Sequence, residues 1–305
     1  MAPRASHSRP ATHSRPATHS RPDSAVAEAA GVRRFAGLPL TRPLVMGIVN
    51  VTPDSFYDGG SHPDAGSAIA HGKKLLAEGA DILDVGGEST RPGSAAIDTA
   101  AEIARIVPVI EALAKDGAVV SVDTRHAAVM RAAIAAGARI VNDITALTGD
   151  PDSLPAVAET GVAAVLMHMQ GEPATMQKAP HYADALTEIE EYLAGRLAAC
   201  RAAGIPFENL AVDPGIGFGK RPQHNLELLA GVGRLRELNV AVLIGASRKS
   251  FIGMLSHGEK AADRLPGSLA AALAAADRGA DILRVHDVGE TLQALTIWRA
   301  IAERG

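Results

Sequence analysis

Eight short, uninterrupted apolar runs recur along the chain: Leu44–Val49, Ile82–Val85, Ala118–Val122, Ile140–Val141, Ala163–Met167, Leu210–Val212, Val240–Ile244 and Ile282–Val285. A strand with one solvated face alternates apolar and polar residues, whereas a continuous run suits a strand buried on both faces of a parallel sheet. Helical patterns separate the runs, among them Ala65–Glu78, Ala100–Lys115, Ala127–Ala136, Asp184–Ala203 and Gly267–Arg278. Eight strand–helix units predict an α/β fold, a single-domain (β/α)8 TIM barrel. Such barrels occupy ~250 residues as one domain, so a 305-residue chain does not have to be divided. The expected organisation is a disordered low-complexity tail over 1–30 and the barrel over 31–305.

An internal echo supports the repeat. Gly-Ala-Asp-Ile-Leu occurs at Gly79–Leu83 and Gly279–Leu283, with Gly-Ala-Arg-Ile-Val at Gly137–Val141. Each copy follows an Ala-rich helical pattern and enters an apolar run, so the glycine is placed to end the helix.

The start of the chain is different in kind. A hexapeptide beginning Ser-His-Ser-Arg-Pro-Ala at Ser6 returns from Thr12 and starts again at Thr18. Its prolines prevent a propagating helix and it contains nothing to bury, so it reads as a tail. Residues 1–22 carry four arginines and no acid, which leaves the body at a net charge of -8 although the whole chain stands at -4. A body of that sign excludes nucleic acid and anionic membrane as partners held by bulk charge. No apolar run approaches the ~18 residues of a membrane span, and no secretory apolar region follows the tail. A single cysteine, Cys200, excludes an intrachain disulfide and fits a reducing, cytoplasmic setting. Its place in a helical pattern marks it as a packed thiol.

Polar residues follow every run. They are Asn50, Asp84, Asp123, Asn142 with Asp143, His168, Asp213, Ser247 to Lys249, and Arg284 with His286. In a parallel barrel all eight positions converge on the C-terminal rim, where active sites lie. Asp84, Asp123, Asn142 and Asp213 suit the edge of a flat amino-heterocycle, while Arg91, Lys249, Arg284 and His286 suit an anionic group such as phosphate. Two Pro- and Gly-containing segments, Val51–Gly60 and Gly86–Gly93, have the composition of functional loops on that rim.

The motifs Met46-Gly-Ile-Val-Asn-Val-Thr-Pro-Asp-Ser-Phe56, Asp84-Val-Gly-Gly-Glu-Ser-Thr-Arg-Pro-Gly93 and Ser121-Val-Asp-Thr124 come first. Asn142-Asp-Ile144, Met167-His-Met-Gln-Gly171, Asp213-Pro-Gly-Ile-Gly-Phe-Gly-Lys220, Ser247-Arg-Lys-Ser250 and Arg284-Val-His-Asp287 follow in order. This set resembles the dihydropteroate synthase family from Leu44 to the C-terminus. The resemblance implies condensation of a dihydropterin methyl diphosphate with 4-aminobenzoate in folate biosynthesis, with sulfonamides as competitors. It implies Mg2+ beside Asn50, and diphosphate held by Thr90, Arg91 and His286. The pterin would be read by Asp84, Asp123, Asn142, Asp213 and Lys249, with Met167 lining the site and Arg284 stacked on the ring. The 4-aminobenzoate pocket would draw on Thr90, Arg91, Pro92, Phe218, Lys249 and Ser250. Asp123, Thr90, Arg91 and Lys249 are its catalytic set, C–O cleavage comes early, and the assembly is a homodimer. Tyr57 stands where many members of the family carry a smaller hydroxyl residue.

The same resemblance leaves two rivals, a pterin-binding paralogue without turnover and a corrinoid-dependent methyltransferase barrel. The intact Ser-Thr-Arg-Pro-Gly loop and Ser-Arg-Lys-Ser run favour the synthase over both. His168 and Trp298 are expected in packing, and His62 and His181 in solvent.

Overall fold

The computed structural model describes residues 31–51, 65–88 and 97–304. The expected tail, most of both rim loops, Tyr57 and His62 lie outside the described residues. Arg33–Gly305 forms one compact unit.

The unit opens with a small antiparallel pair, β1 (Arg34–Phe35) and β2 (Leu38–Pro39), which the apolar pattern does not announce. The barrel units then run β3 (Leu44–Asn50), α1 (Ala65–Ala77), β4 (Ile82–Gly86), α2 (Thr99–Lys115), β5 (Val120–Asp123) and α3 (Ala127–Ala135). Next come β6 (Ile140–Asp143), α4 (Ser153–Thr160), β7 (Ala163–Met167), α5 (Ala185–Ala202) and β8 (Leu210–Asp213). The chain ends with α6 (Pro222–Ala230), α7 (Val232–Leu235), β9 (Ala241–Ile244), α8 (Ser250–Leu255), α9 (Leu265–Asp277), β10 (Ile282–Val285) and α10 (Val288–Ala302). Strands β3 to β10 close into a barrel in sequence order, each parallel to its neighbours, with β10 returning to β3. All eight apolar runs are strands, and the fold is the expected (β/α)8 barrel.

Strand alternation divides the core into two shells. Val45, Leu83, Val85, Val120, Val122 and Val141 point outward and pack against the helices. Leu44, Met46, Ile82, Ile140, Val165, Ala211, Leu243 and Ile282 fill the floor of the barrel, where Phe35 from the first hairpin is fully buried among them. The hairpin therefore closes the N-terminal end and leaves the opposite end for chemistry.

The echo has a structural meaning. Gly79, Gly137 and Gly279 all adopt positive φ one or two residues beyond a helix, and Ala80 donates back to the Leu75 carbonyl at 3.0 Å, as in a Schellman cap. Asp81 then accepts from the Val45 amide at 2.8 Å and pairs with Arg42. Asp281 does the same between β9 and β10, accepting from the Val242 amide at 3.0 Å and pairing with Arg33. Each aspartate pins the start of its own strand to the neighbouring one.

Candidate active site

Along each strand the residues that share the inward face repeat every second position. Counting up from the floor residues, Asn50, Asp84, Asp123, Asn142, Met167, Asp213 and Arg284 all fall on the inside, at the C-terminal end. The register aligns them further: Asn50 is opposite Gly86, Gly86 opposite Asp123, Asp123 opposite Asn142, and Met167 opposite Asp213.

Arg284 organises the centre. Its Nε donates to Asp84 Oδ2 and its Nη2 to Asp123 Oδ2, both at 2.6 Å. Asn142 Nδ2 donates to the same Asp84 oxygen at 3.0 Å. Asp84 is fully buried, and these bonds satisfy its Oδ2. Burial pushes the Asp123 carboxyl up, the Arg284 guanidinium pulls it back, and Asp84 adds repulsion. Burial likewise raises Asp213, against the Gly215 N–H that donates to it at 2.7 Å and the nearby Lys249. Lys249 is pulled down to about 8 by burial and by Arg284, with Asp213 and Asp123 opposing. Its Nζ lies 4.0 Å from the centre of the Phe218 ring, a cation–π pair at the mouth.

The β8–α6 loop brings Phe218 to that position. A Cβ on Gly215 would come within 2.0 Å of the His168 carbonyl oxygen, and φ there is +70°, so only glycine fits. Lys220 ends the loop and is buried, its Nζ 2.9 Å from the Phe218 carbonyl and 3.1 Å from His168 Nδ1. Among the described residues no carboxylate forms an ion pair with it, and burial pulls it down to about 7 against the opposing charge of Asp213. His168 packs edge-on against Tyr192 and is pulled down to about 3 by burial and then by Lys220, so it is a neutral packing residue. Gln177 donates to the Gly217 carbonyl from the preceding loop.

On the other side of the mouth, Ser247 Oγ lies 3.1 Å from His286 Nδ1. Burial, followed by the charge of Arg284, pulls His286 down to about 4, so it is neutral at pH 7. Arg248 turns out of the pocket at φ +57° and forms a two-pronged ion pair with Asp287, leaving Lys249 to face inward. Ser250 begins α8 and is exposed.

The structure thus gathers Asn50, Asp84, Asp123, Asn142, Met167, Asp213, Phe218, Lys249, Arg284 and His286 on one rim. Thr90, Arg91 and Pro92 lie outside the described residues. Lys220 was not singled out from the sequence, because a polar residue in a glycine-rich loop carries no sign that the loop will bury it; Gln177 was not either, and it is exposed. Cys200 is fully buried and its thiol is pushed up to about 11, and Trp298 packs on the core. His181 is exposed.

A closed parallel barrel with a buried, charged interior at its C-terminal mouth defines a (β/α)8-barrel enzyme. Residues 46–286 match the family described as pterin binding enzyme. A dihydropteroate synthase of Escherichia coli strain K12 is 48% identical over 264 residues, covering 86% of this chain and 93% of that protein. The dihydropteroate synthase of Xanthomonas albilineans, solved with 4-aminobenzoic acid, superposes with a TM-score of 0.83 at 51% identity, over 89% of this chain and 98% of that one. The same enzyme solved with 7,8-dihydropteroate gives 0.79 at 50% identity, over 87% and 95%. The chain belongs to the pterin-binding enzyme family and, within it, to the dihydropteroate synthases, which are transferases.

Proposed function

We propose that this chain joins the methylene carbon of a 7,8-dihydropterin-6-ylmethyl diphosphate to the amine of 4-aminobenzoate, giving 7,8-dihydropteroate and diphosphate. The observation that carries the reading is the Asp84–Arg284–Asp123 network inside the barrel mouth, joined by Asn142 and flanked by Asp213 and Lys249. A flat pterin offers amino and ring N–H donors to carboxylates and ring acceptors to Lys249 and Asn142. Arg284, already held in place by two carboxylates, presents the face of its guanidinium for stacking.

As the carbon–oxygen bond breaks, its electrons leave with the diphosphate and positive charge spreads over the pterin. Asp123 and its neighbouring carboxylates stabilise that charge from fixed positions, without reorganising. The aniline nitrogen then forms the new carbon–nitrogen bond and loses a proton. In this reading Phe218, Lys249 and Ser250 flank the 4-aminobenzoate site. Thr90, Arg91 and Pro92 complete it, and Thr90 and Arg91 with His286 hold the diphosphate. Sulfonamides compete at the same site.

The donor chemistry near the diphosphate fits Mg2+. The half-buried Asn50 amide stands at the end of β3 without a hydrogen bond to any described residue, and a hard ion shared with phosphates needs only one or two protein oxygens. When bound there, the ion neutralises charge on the leaving diphosphate.

The reaction is proposed for the barrel over 31–305, in the cytoplasm. Among the described residues no helix is long and apolar enough to cross a membrane. We also propose a homodimer through barrel helices. Leu226, Leu229, Phe251 and Leu255 line an apolar groove of about 450 Å3 on the outer surface, which supports such a contact.

Turnover tests the reading. Purified protein given Mg2+, the pterin diphosphate and 4-aminobenzoate is expected to release diphosphate at a rate that saturates in both substrates. Pterin binding with no release would replace this reading with a paralogue that has lost turnover.

A further inference from the structure

Outside the barrel mouth, three potential metal ligands converge between β4, α2 and α3. Glu88 stands two residues beyond β4, Glu102 lies in the first turn of α2, and His126 precedes α3. One donor atom from each lies within 4.8 Å of the others. Glu88 Oε2 and His126 Nε2 are 3.6 Å apart, close to the about 3.3 Å that separates neighbouring ligands on a tetrahedral zinc ion.

Glu102 is what makes the cluster unusual. The side chain is fully buried and, among the described residues, neither carboxylate oxygen has a hydrogen bond of good geometry, the Thr124 side chain giving only partial support while burial pushes the carboxyl up to about 7. Buried carboxylates are ordinarily satisfied, and an orphaned one calls for a physical reason. His126 Nε2 is likewise buried and, among the described residues, without a hydrogen bond, and the side chain makes no capping bond to α3. Gly87 lets α2 come close enough to place Glu102 there, since a Cβ would stand 3.0 Å from Glu102 Cγ and 2.8 Å from Ile106 Cγ2. Arg125 reaches the two Glu88 oxygens at 3.4 Å each, bonds long enough to leave lone pairs open.

We propose that Glu88, Glu102 and His126 form a binding site for a divalent transition ion of the zinc type, separate from the barrel mouth. Two carboxylates and an imidazole make a donor set of intermediate softness that suits Zn2+ or Co2+. The ion satisfies the Glu102 oxygens and the His126 nitrogen together. It also ties the stem of the second rim loop to α2 and α3, so its role is to hold that stem.

Co2+ is the probe, because a protein-bound ion of low coordination number shows visible d–d absorption. The full-length, untagged chain is stripped of metal, titrated with Co2+, and back-titrated with Zn2+. The tail histidines His7, His13 and His19 also attract metal, so the reading is the difference between variants. Glu102→Gln and His126→Ala are each expected to lose one equivalent of Co2+ absorption and to weaken that site at least ~10-fold. Asn50→Ala is expected to retain it. Circular dichroism and a thermal melt without metal establish that the variants fold; Glu102→Gln is isosteric and His126 is partly exposed, so both changes are mild. Co2+ absorption and stoichiometry that are the same in wild type, Glu102→Gln and His126→Ala would overturn the proposal, as would loss of the signal in Asn50→Ala.

Discussion

Arg284 holds two carboxylates of different strands, and its removal strands both. Asp84 is fully buried and would keep only the Asn142 amide. Arg284→Ala is therefore expected to destabilise the barrel by about 3–5 kcal/mol, the cost of leaving a buried charge without its partner, read by denaturant unfolding at pH 7.5. A loss under about 1 kcal/mol would mean that water replaces the guanidinium. Lys220 gives a prediction with a definite sign in pH. Its ammonium is pulled from 10.5 to about 7, so above pH 7 the folded chain holds fewer protons than the unfolded one. Stability from this group is thus lowest below pH 7 and rises towards pH 10. Wild type is expected to gain on Lys220→Met by about 3 kcal/mol between pH 6.5 and 9.5, at ~1.4 kcal/mol per unit. A constant difference between the two proteins across that range would remove Lys220 as a titrating group. These residues also mark how far the sequence could be read. Asp84 and Arg284 stand at the ends of apolar runs, where strand geometry alone forces them inward. Lys220 is buried by the folding of the Gly215–Gly219 turn against His168 and Gln170, a contact no local pattern encodes.

At the level of elements, apolar runs made the barrel strands legible because burial on both faces leaves no polar alternation to blur them. The limits of the strands were less so. Ala118 belongs to the turn after α2, its N–H bonded to the Leu113 carbonyl, and the pairing begins only at Val120. The short helices α4, α6 and α8 and the β1–β2 hairpin lie outside the helical patterns and apolar runs that stand out in the sequence. The echo at Gly79 and Gly279 was visible as letters, but the work of its aspartates became clear only with the strand register. That register carries a prediction. Asp281→Ala takes the acceptor from the Val242 amide and leaves Arg33 only the Val240 carbonyl, in the seam between β9 and β10, where only two residue pairs hold the strands. A loss of about 1–3 kcal/mol is expected in chemical denaturation. Amide exchange should quicken at Val242 before the rest of the barrel. Uniform exchange across all eight strands would show that the seam is not a weak point.

For the whole molecule, charge poses the sharpest question, because the substrate proposed above is anionic and the protein has a net charge of -4. The described lining does not reverse that sign. Asp84, Asp123 and Asp213 face Arg284 and Lys249, while His286 is neutral at pH 7 because burial has pulled it down to about 4. These carboxylates, with Asp123 pushed up to about 7 by burial, suit a pterin, which is uncharged and rich in donors, and with only two cations beside them they give no strong attraction for a diphosphate. Under the proposed reaction, Arg91 and a divalent ion beside Asn50 are the groups that would supply the missing positive charge. The two halves of the substrate should then respond differently to metal removal. Affinity for the pterin methyl diphosphate is expected to fall more than ~10-fold in a chelator, or ~1.4 kcal/mol. A dihydropterin that ends in a hydroxymethyl group should bind equally well with and without Mg2+. Calorimetry on the pair separates the cases: equal losses for both ligands would place the ion's effect on the fold of the mouth. Loss for the diphosphate alone would place it on the leaving group, where local charge overrides the sign of the molecule.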